Sequence, residues 1–213
     1  MSVLDLDRFA AAPLAREPYD FVVLTDFIKK AAQPAIAADF PDIAQGGSFP
    51  LSVLDYGPAF ANLVDELQGP AMRRTFAGKF GIDLEARPVT ITARGHTREK
   101  DGQIHADSKT KLITVLIYMN PEWSAGDSAG QLRLLRSPES LDDAAVEIPP
   151  AMGTLVAFRC AANAWHGHHP FVGARRAIQL NWVTDKGVVR REEFRHRLSA
   201  LAKRLTSWRR AGR

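Results

Sequence analysis

Residues suited to metal chemistry occur at two separate places in the chain. The first is the triplet His105-Ala106-Asp107. Side chains alternate along an extended backbone, so His105 and Asp107 would point to the same side and hold one ion from one edge. The second is His166, a remote histidine that would complete a set of three ligands. Two histidines and one carboxylate are the ligands of mononuclear non-haem iron(II) sites, in which the other coordination positions stay open.

The third ligand has competitors, because His168 and His169 follow His166 closely. His168 shares the strand parity of His166. Either neighbour can instead be a satisfied polar residue or a hydrogen-bond donor that supports a ligand. The residues alone leave the choice among the three histidines open.

The elements that would position these ligands are short and strand-like from residue 89 onward. Gly, Pro, Ser and Asp clusters separate them, as at 124–130 and 149–153. Many short strands with turn signals between them are typical of a sandwich or jelly roll, and hence of a β-rich α+β fold. The predicted strands are 89–93, 112–119, 131–135, 146–148, 154–158 and 177–183.

The two ends of the chain carry the predicted helices. Residues 1–88 mix a buried strand at 21–24 with two helices, at 58–67 and 72–80, whose apolar residues recur every three or four positions. Apolar residues with the same spacing predict an amphipathic helix over 188–210, with Arg and Lys on its opposite side. We therefore predict one domain over 1–213, with 89–184 as its core.

Charge distribution, cysteine content and the length of apolar segments each restrict the class of protein. The net charge of +4 is concentrated in residues 186–213, so the rest of the chain is net negative. Cys160 is the only cysteine, which excludes an intramolecular disulfide and favours a small buried residue. No segment approaches the roughly 18 apolar residues that span a bilayer, and the start lacks a secretory signal, so we expect a soluble cytoplasmic protein.

The order of motifs resembles the 2-oxoglutarate/Fe(II) oxygenase superfamily, in its prolyl-hydroxylase-like branch. The resemblance covers about residues 90–183 and depends on several elements that occur in the right order. They are His105-x-Asp107, the segment 114–121 with Trp123, Gly130-Gln-Leu-Arg-Leu, the segment 149–158, Trp165-His166-Gly167 and the segment 175–182. The family's fold is a double-stranded β-helix, or jelly roll, which the N-terminal helices would brace.

The resemblance implies roles for individual residues. His105, Asp107 and His166 match the catalytic iron ligands. A basic residue about ten positions after the last histidine pairs with the distal carboxylate of 2-oxoglutarate, and both Arg175 and Arg176 lie there. Only one of two adjacent strand residues can face the pocket, and the distance of six residues to Trp182 favours Arg176.

Further positions around the pocket follow from the same resemblance. Tyr118 matches the residue whose hydroxyl also reaches the 2-oxoglutarate carboxylate. Leu116 and Trp182 have inward-facing parity and are expected to wall the pocket. The segment 94–102 and Lys109 flank the expected entrance, where Arg94 and His96 are candidates for contact with the substrate; the alternative for this charged run is an ordinary solvated loop.

The implied activity is that of a dioxygenase. Such an enzyme uses Fe(II) and 2-oxoglutarate, with ascorbate as a stimulant, to hydroxylate a substrate while releasing succinate and carbon dioxide. The substrate is open between a peptidyl proline and a small molecule. Nucleic acid is disfavoured, because relatives that repair bases carry a second arginine where this chain has Asn181 or Trp182.

An alternative from another class is a non-enzymatic jelly-roll binding protein. Its basic C-terminal helix would recruit an acidic partner. The amphipathic character of that helix also makes a homodimer conceivable.

Overall fold

Short helices and strands alternate through the first 80 residues, and strands dominate thereafter. The computed structural model describes residues 2–123 and 129–191. In these ranges the helices are α1 (Leu6–Ala11), α2 (Gln33–Ala38), α3 (Pro58–Gln68) and α4 (Pro70–Phe80), and residues 186–191 are also helical. The strands are β1 (Phe21–Leu24), β2 (Phe49–Pro50), β3 (Val89–Thr97), β4 (Lys111–Tyr118), β5 (Leu132–Leu135), β6 (Ala144–Ile148), β7 (Leu155–Arg159), β8 (His166–Gly167) and β9 (Gly173–Val183).

The strands form a larger and a smaller sheet. The larger sheet has the order β1-β7-β4-β9-β3-β2, and the smaller has the order β6-β5-β8. Every pairing between these strands is antiparallel. The fold is thus the predicted β-rich jelly roll, and the predicted strands and the helices at 58–67 and 72–80 are confirmed.

The helices cover one face of the larger sheet. Phe76 of α4 is fully buried, with its ring stacked on Phe9 at 4.0 Å and 5.2 Å from the ring of Trp182 in β9. Gly81 ends α4 in the left-handed region, at φ +61°, where a residue without Cβ carries no penalty. None of the described helices is long and apolar enough to cross a bilayer.

The other face of the larger sheet turns toward the smaller sheet. Along β9, Ile178, Leu180 and Trp182 pack in the core under the helices, whereas Arg175 and Gln179 line a cavity on the opposite side. The prediction that Trp182 walls the pocket is therefore wrong, because this residue has the parity of the helix-covered face. Leu116 lines the cavity as expected.

The described residues do not test two of the predictions in full. The amphipathic helix over 188–210 begins within the described helical residues 186–191, but the rest of it lies outside the described residues. The assignment of 1–213 to one domain stays a prediction. The first part of the chain does contribute β1 and β2 to the larger sheet.

Candidate metal centre and its adjoining pocket

Two histidines 61 positions apart in sequence meet through their backbones. The amide of His105 donates to the carbonyl of His166, and the amide of His166 donates to the carbonyl of His105, both at 3.0 Å. The two imidazole centroids are consequently 4.3 Å apart. One ligand atom each from His105, Asp107 and His166 lies within 4.8 Å of the others. The structure therefore brings the three candidate ligands together.

The tautomers of both histidines suit metal coordination. Nδ1 of His105 contacts the carbonyl oxygen of Gln103 at 2.9 Å, and Nδ1 of His166 contacts that of Ala164 at 2.9 Å. Because a carbonyl only accepts hydrogen bonds, each Nδ1 carries a proton, and Nε2 is the nitrogen that each side chain can offer to a metal ion. Burial, reinforced by His105, lowers the pKa of His166 to about 4, so this imidazole is neutral at pH 7.

Asp107 is held by two neighbours from the start and middle of β4. Lys111 Nζ lies 2.7 Å from Oδ1, and the Thr114 hydroxyl lies 2.5 Å from Oδ2. Burial alone would raise the pKa of Asp107, but the charges of Lys111 and His166 and these hydrogen bonds lower it below its usual value. The group is a carboxylate at neutral pH. Its two oxygens offer about four lone-pair sites, which leaves room for a metal ion.

A cavity of about 80 Å³ opens beside the ligands. His105 and His166 line it, and so does Arg175 of β9. Arg175 is buried, donates from Nε to the carbonyl of Gly130 at 2.7 Å, and places its terminal nitrogen 3.3 Å from the hydroxyl of Tyr118. Burial raises the pKa of Tyr118, although Arg175 opposes this effect, so its phenol keeps a proton to donate.

The structure corrects the choice between the two adjacent arginines. The prediction that Arg176 faces the pocket is wrong, because its guanidinium lies over the ring of Phe40 at 5.6 Å. Phe40 belongs to the core on the helix-covered side. Arg176 lies on this side together with Trp182, six residues later. The predicted spacing between them is therefore correct, but both residues belong to the helix-covered face and not to the pocket. Arg175 is the arginine that lines the cavity.

The other candidates divide between the cavity and the surface. His168 lines the cavity but is not among the three clustered ligands of the described chain, and its Nδ1 donates to the carbonyl of His169. Arg94 also lines the cavity, whereas His96 does not. Two residues apart in a regular strand, Arg94 and His96 would face the same side, but the pairing of β3 with β9 shifts register between them. Lys109 is exposed.

Sequence reasoning missed the residues that hold Asp107. Thr114 lies in the predicted strand 112–119 and Lys111 lies just before it, and neither was given a role, although a lysine at the start of an apolar strand four positions after a candidate ligand is a usable signal. It also missed Gly102, which has φ +94° and lies so close to His168 that a Cβ would come within 2.4 Å of Nδ1. The Asp101-Gly102 pair that marks this turn was visible in the sequence.

The fold and the site together define a jelly-roll protein in which two histidines and one carboxylate form a candidate metal centre beside a cavity lined by an arginine. Residues 92–184 match the model of the family described as the 2OG-Fe(II) oxygenase superfamily. This segment holds all three candidate ligands and Arg175. Over this segment the chain is similar to the 2-oxoglutarate/Fe(II) oxygenase superfamily.

Solved structures share the fold at low sequence identity. A prolyl-4-hydroxylase from Pseudomonas putida has a TM-score of 0.57 and 16% identity, over 84% of this chain and 97% of that one. An oxidoreductase of the 2OG-Fe(II) oxygenase family from Burkholderia pseudomallei has a TM-score of 0.52 and 16% identity, over 84% and 90%. A viral collagen prolyl hydroxylase from Paramecium bursaria Chlorella virus-1 has 0.52 and 15%, over 77% and 96%. No curated protein matches the chain in sequence.

We predict that Thr114→Val weakens metal binding. The substitution keeps the shape of the side chain but removes the hydrogen bond that orients Asp107, and loss of such a partner typically costs roughly 10- to 100-fold in metal affinity. Titration with Mn(II), a redox-stable probe, measures the change. Thr110→Val is the matched control, because Thr110 bonds Ser108 and not Asp107. Equal Mn(II) affinity in the two variants would show that Thr114 does not position the ligand.

Proposed function

We propose that His105, Asp107 and His166 hold Fe(II), and that Arg175 with Tyr118 binds the distal carboxylate of 2-oxoglutarate. The observation that carries this assignment is that the histidine ligands and the buried arginine open onto one small cavity. In the described part of the chain no carboxylate lies within ion-pair distance of Arg175. A buried charge is costly unless it is paired, and an acidic ligand supplies the pair.

The chemistry belongs to the 2-oxoglutarate-dependent oxygenases. When bound, Fe(II) supplies the reaction of 2-oxoglutarate and dioxygen with a substrate C–H bond, which gives succinate, carbon dioxide and the hydroxylated product. The protein's own residues bind and orient. The two imidazoles present Nε2, Asp107 is held by Lys111 and Thr114, and the phenol of Tyr118 donates a hydrogen bond to an incoming carboxylate while accepting one from Arg175.

The primary substrate is proposed to approach from the other side of the ligands. A second cavity, of about 490 Å³, is lined by His105, Asp107, Lys111 and Arg191. Structures of similar fold are named prolyl hydroxylases, which makes a peptidyl proline the first substrate to test and a small molecule the second. Dioxygen is the other reactant. The homodimer, the cytoplasmic location and the lack of nucleic-acid binding stay predictions.

The ligand assignment is tested by alanine substitution. We expect His105→Ala, Asp107→Ala and His166→Ala each to reduce succinate formation by more than the roughly 10- to 100-fold that loss of an outer partner costs. His168→Ala, at a buried neighbour that is not in the cluster, should retain most of the activity. The measurement is succinate released from 2-oxoglutarate without added substrate, in the presence of Fe(II) and ascorbate.

Two outcomes would contradict these assignments. If His166→Ala stays active and His168→Ala does not, the third ligand is His168. If the wild-type protein forms no succinate and gains no thermal stability from 2-oxoglutarate, the chain is the non-enzymatic binding protein instead.

The co-substrate assignment is tested by the two adjacent arginines. Arg175→Gln should weaken 2-oxoglutarate binding by roughly 10- to 100-fold, because a hydrogen bond to a charged group is worth about 1.5–3 kcal/mol. Arg176→Gln removes the same charge from the opposite face and should leave the affinity unchanged. Calorimetric titration of the Mn(II)-loaded proteins with 2-oxoglutarate measures both. If Arg176→Gln weakens 2-oxoglutarate binding more than Arg175→Gln does, Arg176 is the arginine that faces the pocket.

A further inference from the structure

A second arginine lies in the same small cavity as Arg175. Arg94 in β3 is opposite Ala177 in β9, and Tyr118 in β4 is opposite Ala177 from the other side. Neighbouring strands are about 4.8 Å apart, so Arg94 and Tyr118 flank a position whose own side chain is a single methyl group. Arg175 follows on the same face of β9, two residues away. Arg94, Arg175 and Ala177 line the same cavity, and Tyr118 lies opposite Ala177 within hydrogen-bond distance of Arg175.

This space carries an excess of positive charge. The residues that line the cavity include Arg94 and Arg175 but neither Asp nor Glu. In the part of the chain that the structure describes, Arg94 donates from Nε to the Ser48 hydroxyl at 2.8 Å, and its two terminal nitrogens donate to no protein group. Asp101 is nearby but is paired with Arg98. Burial, and then the adjacent charge of Arg175, lower the pKa of Arg94.

We propose that Arg94 is a second binding residue for the distal carboxylate of 2-oxoglutarate, which it shares with Arg175 and Tyr118. This inference rests on the proposed function. A carboxylate has about four lone-pair sites, so it accepts from two guanidinium groups and a phenol at once. A cavity of about 80 Å³ holds one small ligand, and an anion between the two arginines offsets their mutual repulsion.

Binding of 2-oxoglutarate to the Mn(II)-loaded protein tests the proposal without knowledge of the primary substrate. Arg94→Gln should raise the dissociation constant for 2-oxoglutarate by roughly 10- to 100-fold, the usual effect of losing a charge-assisted hydrogen bond. Its Mn(II) affinity should equal that of the wild type, since Arg94 contacts none of the three metal ligands. Arg94→Lys keeps the charge and should recover part of the loss. Arg176→Gln, an arginine on the other face of the sheet, is the matched control.

Three results would overturn the proposal. The first is 2-oxoglutarate affinity in Arg94→Gln within about twofold of the wild type, when a charged contact predicts tenfold or more. The second is an equal loss of Mn(II) affinity, which would indicate a damaged pocket. The third is a dissociation constant for 2-oxoglutarate in Arg94→Lys that is no lower than that in Arg94→Gln. A wild-type protein that fails to bind 2-oxoglutarate would instead refute the proposed function.

Discussion

The pairing of His105 with His166 through two backbone hydrogen bonds is the interaction on which the site depends. It joins the loop before β4 to β8 of the smaller sheet, and it places the two imidazoles in contact, with their ring centroids 4.3 Å apart. β8 is fixed in turn, because His166 is opposite Leu134 in β5 and the Tyr19 hydroxyl donates to the carbonyl of Trp165 at 3.0 Å. The positions of the candidate ligands His105 and His166 are thus set by antiparallel backbone pairing.

The larger sheet serves the site by having two different faces. One face is apolar and packs under the helices, with Phe76 and Trp182 at its centre. The other face carries buried polar side chains, among them Thr114, Asn181 and Arg175. Burial of a polar group costs free energy unless the group is hydrogen-bonded. These side chains bond one another or nearby protein groups, or can bond a polar ligand. Burial of the first face stabilises the sheet, and the rigidity of the sheet holds the second face in register with the metal centre.

Much of this arrangement could be predicted from the sequence, because it depends on order and local pattern. The alternation of short strands and turns predicted the jelly roll. Ligand type suggested His105, Asp107 and a remote histidine, and the order of motifs that resembles the oxygenase family favoured His166. The choice between Arg175 and Arg176 failed because period-two alternation says that the two face opposite sides but not which side is the pocket. That depends on the register with β3 and β4, which is a long-range property.

Local irregularities were also beyond reach of the pattern. Arg94 and His96 have the same parity, yet the register shift between them leaves only Arg94 in the cavity. The bonds from Lys111 and Thr114 to Asp107 depend on how the loop after Asp107 turns back on β4, and no periodicity encodes that.

The central claim is that one centre built from His105, Asp107 and His166 binds Fe(II) and 2-oxoglutarate together. Anaerobic titration of the protein, followed by visible absorption, tests it most directly. We expect a metal-to-ligand charge-transfer band that appears only when both Fe(II) and 2-oxoglutarate are present and that saturates at one iron per chain. Absence of the band with both present, or its persistence in His166→Ala, would contradict the account.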